Sequence, residues 1–141
     1  MQVEVSLGAD VDGRGQARLP FDQQPLGKAR TYQEVDHFVC DRARVHMLTV
    51  KKIKESADEV AIESSLDLVS EWPLQDIDLT LFLVSKDGQV IARKFWNDLR
   101  IGAWSRHSLP NAQFKIPSAR WRELFSADSA PLLRIVVDIQ E

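Results

Sequence analysis

Asp76-Ile-Asp-Leu-Thr-Leu-Phe-Leu-Val-Ser-Lys-Asp-Gly-Gln-Val-Ile-Ala-Arg-Lys-Phe-Trp96 is the stretch that decides the fold class. Ile77, Leu79, Leu81 and Leu83 alternate with Asp78 and Thr80, the two-residue period of a strand with one buried face. Ser85-Lys-Asp-Gly88 then supplies turn chemistry, because glycine enters φ > 0 without steric cost and aspartate bonds readily to nearby backbone. A long antiparallel hairpin follows. A two-residue Asp87-Gly88 turn would set Leu83 opposite Ala92 and Leu81 opposite Lys94. A three-residue Lys86-Asp87-Gly88 turn with a bulge at the glycine sets Leu83 opposite Ile91 and Leu79 opposite Phe95, matching apolar to apolar, and is the register expected.

Working outward, Glu59 to Val69 reads as another strand, with Val60, Ile62, Leu66 and Leu68 in one phase, Ser64 between them and a turn at Ala57-Asp58 before it. Residues 32–54 mix helical and alternating patterns. Val45, Met47, Thr49 and Ile53 favour a strand from about Phe38. Trp72-Pro73 breaks regular structure ahead of the hairpin, because the residue before a proline is pushed toward extended conformations. Asn97 to His107 reads as a loop holding a short strand at Leu99–Ile101. Gln113–Ile116 is a further strand, Pro117-Ser118 starts a helix over Ala119–Phe125 with Trp121, Leu124 and Phe125 inward, and Leu133, Ile135, Val137 and Ile139 mark a terminal strand. The expected fold is all-β: an antiparallel immunoglobulin-like β-sandwich of about seven strands with one short helix.

Gly8, Gly13, Gly15, Pro20, Pro25 and Gly27 punctuate residues 8–30, which hold few apolar side chains. Residues 1–30 are therefore expected to be a flexible arm or an edge strand plus loop, ahead of a sandwich domain at 31–141. At 141 residues and 44% hydrophobic composition the chain is long enough to bury a core as one domain. No run of about 18 apolar residues and no signal-peptide pattern occurs in it, so the expectation is a soluble chain without a transmembrane segment, cytoplasmic, or periplasmic if excised from a longer anchored protein.

Charge is distributed unevenly. Residues 55–88 carry nine acidic side chains against Lys86 alone, and residues 89–122 carry seven basic ones against Asp98 alone. In an antiparallel meander these blocks lie side by side, so cross-strand pairing is expected, with a polar binding surface as the sharper alternative. The net charge of −3 gives no electrostatic reason to expect nucleic acid. Arg93-Lys94-Phe95-Trp96 mixes cations with stacking groups, but Arg93 and Lys94 point to opposite faces of a strand and cannot line one groove.

Candidate chemistry is sparse. The single Cys40 excludes an internal disulfide, and no Cys/His cluster offers a zinc site. His37, His46 and His107 stand alone in sequence and read as surface or structural residues, and Cys40 reads as core. Asp10, Asp12 and Gly13 open like a calcium loop, but Arg14 follows and no glutamate closes it. No cofactor and no metal are expected. Of the four tryptophans, Trp96 and Trp121 are assigned to the core, while Trp72 and Trp104, flanked by Glu71, Ser105 and Arg106, are the surface candidates. Arg100 and Arg106 complete the candidate binding residues.

Asp78 to Ala92, followed by Leu109-Pro110 and Phe114, resembles the strand, turn and return strand of small bacterial FxLYD-type immunoglobulin-like domains. It is also similar to an envelope domain that an uncharacterised bacterial family places after a zinc ribbon and one membrane helix. The likeness covers about fifty residues; Phe82 takes an aromatic position, with Leu83-Val84 in place of the following aspartate. It implies a non-catalytic interaction domain and assigns no functional residues. The expected function is thus a protein-interaction or assembly module with a protein partner. The first alternative is a carbohydrate-binding module that holds a glycan with Trp72 and Trp104, and the second is a small hydrolase whose site is assembled from dispersed residues.

Overall fold

The computed structural model describes residues 2–7, 19, 21–33, 43–125 and 133–140. Among them are nine strands: β1 (Gln2–Ser6), β2 (Arg30–Gln33), β3 (Ala43–Glu55), β4 (Glu59–Ser70), β5 (Leu74–Ser85), β6 (Val90–Ile101), β7 (Arg106–Ser108), β8 (Ala112–Pro117) and β9 (Leu133–Gln140). One helix, α1 (Ser118–Phe125), precedes β9. The strands form a four-stranded sheet in the order β1-β9-β5-β6 and a five-stranded sheet in the order β2-β3-β4-β7, with β8 also paired to β4. Every pairing is antiparallel, and the chain is an all-β sandwich.

Alternation builds the core. Ile77, Leu79, Leu81 and Leu83 of β5 meet Val60, Ile62, Leu66 and Leu68 of β4 in one buried cluster, joined by Phe114 and Ile116 of β8. Each such side chain contributes about 1.5–3 kcal/mol by leaving water. Trp121 and Leu124 of α1 are buried as expected, with Phe125 packed behind them. Ser118 fixes the start of the helix by donating its hydroxyl to the Ser56 carbonyl at 2.8 Å.

Arg106–Ser108, expected as loop, is the strand β7. It pairs with Asp67–Val69 while β8 pairs with Glu59–Ser64, so the two lie end to end along β4. Leu109 continues the ladder between them by donating to the Leu66 carbonyl at 3.0 Å, and Pro110, which has no N–H, interrupts it. Leu99–Ile101 is no separate strand either, since β6 runs unbroken to Ile101. It passes the polar Asn97-Asp98 step on a register irregularity where Asp98 takes φ 55° and Asp78 accepts its N–H at 3.2 Å.

The hairpin turn has the expected three-residue form: Gly88, at φ 84°, donates to the Ser85 carbonyl at 3.0 Å, and Ser85 donates to Gln89 at 2.9 Å. The register beyond it differs. Val84 pairs with Val90, but Leu83 pairs with Ala92, Leu81 with Lys94 and Leu79 with Trp96, so Ile91 is an extra residue on β6. That single insertion exchanges the faces of β6. Trp96, the larger ring, packs against the core, while Phe95 turns outward.

Of the two expectations for residues 1–30, a flexible arm or an edge strand plus loop, the described residues 2–7, 19 and 21–30 have the second form, with β1 at the edge of its sheet. β1 pairs with β9, and Val5 and Leu7 are buried. Phe21 is fully buried, its ring 6.0 Å from that of Trp121. Buried Lys52 donates to the Asp22 carbonyl at 2.7 Å and pairs with Glu55 at 3.0 Å, while its own carbonyl accepts from Gly27 at 2.7 Å. Buried Arg30 donates to the Leu19 carbonyl. Val3, Val5 and Leu7 alternate as a strand does, whereas Phe21, Lys52 and Arg30 are single anchors with no periodicity to announce them. Residues 8–18, with the calcium-like Asp10, Asp12 and Gly13, lie outside the described residues, as do His37, Phe38 and Cys40.

Candidate binding site at the loop end

Two connections carry the chain between the sheets at the same end of the sandwich. Glu71–Pro73 leads from β4 to β5 and holds Trp72; Gly102–Ser105 leads from β6 to β7 and holds Trp104. Ser70, the last residue of β4, ties both. Its carbonyl accepts the Trp104 N–H at 2.7 Å, and its hydroxyl donates to the Trp72 carbonyl at 2.7 Å while accepting the Trp72 N–H at 3.2 Å.

Both indoles face solvent, Trp72 at 53% exposure and Trp104 at 76%. Neither stacks on another ring among the described residues. Trp104 also holds φ 56°, a left-handed conformation that costs a bulky residue about 1–2 kcal/mol. It is therefore unfavourable twice over in the free protein, exposed and strained.

Arg106 sits at the same end, opposite Val69 and next to the Ser70 anchor. Its Nη2 lies 2.7 Å from Nε2 of His46, and its Nε lies 3.7 Å from the Asp67 carboxylate. His46 occupies the register irregularity between Val45 and Met47 and has the structural partner expected of it. Arg100 lies in the other sheet but towards the same end: it is the second-last residue of β6, exposed beside buried Ile101, which pairs with Leu74 and leads into Gly102–Ser105. The structure thus gathers Trp72, Trp104 and Arg106 at this end, with Arg100 near it on the opposite sheet.

The expected pairing of the two charge blocks is realised at only one ion pair among the described residues, Arg106 with Asp67. Acidic residues of β4 pair instead with lysines of β3, Glu63 with Lys51 at 3.5 Å and Glu59 with Lys54 at 3.3 Å. On β6 the cations face apolar partners, Arg93 opposite Phe82 and Lys94 opposite Leu81.

The sequence reading missed an apolar patch on the outer face of β5 and β6. Phe82 and Val84 are half-buried there, beside Val90 at 54% exposure and Phe95 at 51%. The Ile91 bulge creates it, and only the true register could have revealed it. Among the described residues there is no group of three or more metal-binding side chains, and no helix long and apolar enough to cross a membrane.

The sequence matches no family model and no curated protein. Among solved structures it is similar to a β-glucuronidase from glycoside hydrolase family 2, at 19% identity and a TM-score of 0.43, over 50% of this chain and 7% of that one.

Proposed function

We propose that this β-sandwich is a non-catalytic interaction module that captures a protein partner at the loop end carrying Trp72 and Trp104. The observation that carries the reading is Trp104: an indole held in a left-handed backbone and 76% exposed lowers stability in the isolated chain. Strain of this kind persists where surrounding structure enforces it and clusters at binding sites. The hydrogen bonds of Ser70 support preorganisation, since both loops are tied to one sheet residue before any partner arrives. Tryptophan with arginine close by is the composition of interface hot spots, and Arg106 supplies the cation. The hairpin's resemblance to FxLYD-type domains points toward the same non-catalytic role.

A second reading, carbohydrate binding, draws on the free faces of both indoles, because an unstacked ring offers its face to a sugar. One experiment separates the two. The purified chain and its Trp72→Ala and Trp104→Ala variants are used as bait in host extract and titrated with soluble polysaccharides while indole emission is followed. A protein retained by the native chain and lost by both variants is the expected result. A saturable emission shift with polysaccharide, abolished by either substitution, would replace the protein reading with the glycan one, and retention unaffected by both substitutions would refute the site.

A further inference from the structure

We infer that the free edge of β6 takes up an extended, acidic peptide segment as an additional antiparallel strand. The inference is independent of the loop-end reading. Among the described residues β6 terminates the four-stranded sheet: its ladder partner is β5, and no other described strand pairs with its other side. An edge strand presents unpaired N–H and C=O groups, which is the template for strand addition. Ala92 to Trp96 pairs with Leu83 to Leu79 without interruption, so five residues have regular geometry between the Ile91 bulge and the irregularity at Asn97-Asp98.

Charge selects the occupant. Arg93, Lys94 and Arg100 are all exposed, and none pairs with a carboxylate among the described residues. Arg93 and Lys94 point to opposite faces, which rules out a single groove but suits an added strand. Successive side chains of such a strand also alternate, so an acidic residue on either face meets a cation. On the outer face the Arg93 guanidinium lies 5.2 Å from the Phe95 ring centroid, and Phe95 and Val90 extend the apolar patch to the edge. Apolar residues of the incoming strand would cover that patch. A second copy of this chain is disfavoured as occupant, because pairing β6 with β6 brings together two strands that each carry Arg93, Lys94 and Arg100 against Asp98 alone.

The test uses a seven-residue capped peptide, Val-Glu-Glu-Val-Glu-Glu-Val, which places glutamate and valine on both faces of an extended strand, its counterpart with lysine in place of glutamate, and an N-methylated version of the acidic peptide, titrated into the 15N-labelled chain. The acidic peptide is expected to bind, to shift amides of Ala92–Trp96, and to weaken as salt rises; Arg93→Glu with Lys94→Glu should lower affinity at least about tenfold. N-methylation, which removes backbone donors, should abolish binding, whereas Trp104→Gly should leave it intact and so keep this site distinct from the loop end. Equal binding of the lysine peptide, a footprint outside β6, no binding at millimolar peptide, or concentration-dependent dimerisation through β6 would each overturn the inference. Circular dichroism of the charge variant confirms that any loss is not unfolding.

Discussion

Phe21→Ala is the substitution that most directly tests how the N-terminal segment belongs to the fold. Phe21 opens a single 3-10 turn, Phe21–Gln23, and has no solvent exposure. Its ring faces Trp121, which in turn lies 4.5 Å from Phe125, so the three aromatics bind residues 21–23 to α1. Truncating a fully buried phenylalanine removes its transfer free energy and leaves a cavity, together about 3–5 kcal/mol. Against a typical total of 5–15 kcal/mol that is a large fraction, and for a domain of this size it corresponds to a fall in Tm of roughly 10–20 °C. The assay is urea and thermal unfolding followed by far-UV circular dichroism, with the near-UV band reporting the Trp121 environment. Leu26→Ala, at an exposed position of the same segment, is the control and should change stability by less than about 0.5 kcal/mol. If Phe21→Ala unfolds within about 1 kcal/mol of the native chain, residues 21–30 are not integral and the packing argument fails.

Three further outcomes are expected. Lys52→Ala leaves the Asp22 carbonyl without its donor in a buried site and should cost about 2–4 kcal/mol by chemical denaturation, whereas Glu55→Ala, at an exposed partner, should cost under about 1. Leu81→Ala should cost about 2–5 kcal/mol and Thr80→Ala under about 1, and equal costs would refute the assigned faces of β5. Trp104→Gly should stabilise the chain by about 0.5–1 kcal/mol, because glycine adopts the left-handed conformation freely, and a loss of more than 1 in a urea melt would show that the indole packs where the structure has it exposed.

The hairpin, β4, α1 and the terminal strand were legible because periodicity and turn chemistry act locally: Ile77 to Leu83 alternate whatever the rest of the chain does. The turn at Gly88 was legible for the same reason. Ile91 was not, since a bulge is chosen by which ring the core accepts, and that depends on strands distant in sequence. β7 hid inside a polar loop because three residues form a strand only when β4 supplies the ladder. Phe21, Lys52 and Arg30 carry no pattern at all; their burial rests on tertiary contacts, Phe21 with Trp121, Lys52 with Asp22 and Arg30 with Leu19 among them. Exposure of Trp72 and Trp104 was legible from their polar neighbours, yet their common anchor was not, because Ser70 meets Trp104 only after the chain has crossed between sheets twice. That Arg100 and Arg106 stand in different sheets has the same origin.

The pairing of β1 with β9 has a consequence for aggregation. β9 reads Leu133-Arg-Ile-Val-Val-Asp-Ile-Gln140, a run rich in β-branched residues with one charge of each sign, the composition that forms intermolecular cross-β contacts most readily. Its two sides are occupied by β5 and by the five-residue β1. A five-residue strand at the edge of a sheet opens at a lower free energy than the domain as a whole, by sub-global unfolding. Each opening bares a full edge of β9 while the rest of the sandwich stays intact. Aggregation of this protein should therefore follow the stability of Gln2–Ser6 rather than the melting temperature, and changes that clamp β1 would lengthen its lifetime in concentrated solution without moving the global transition.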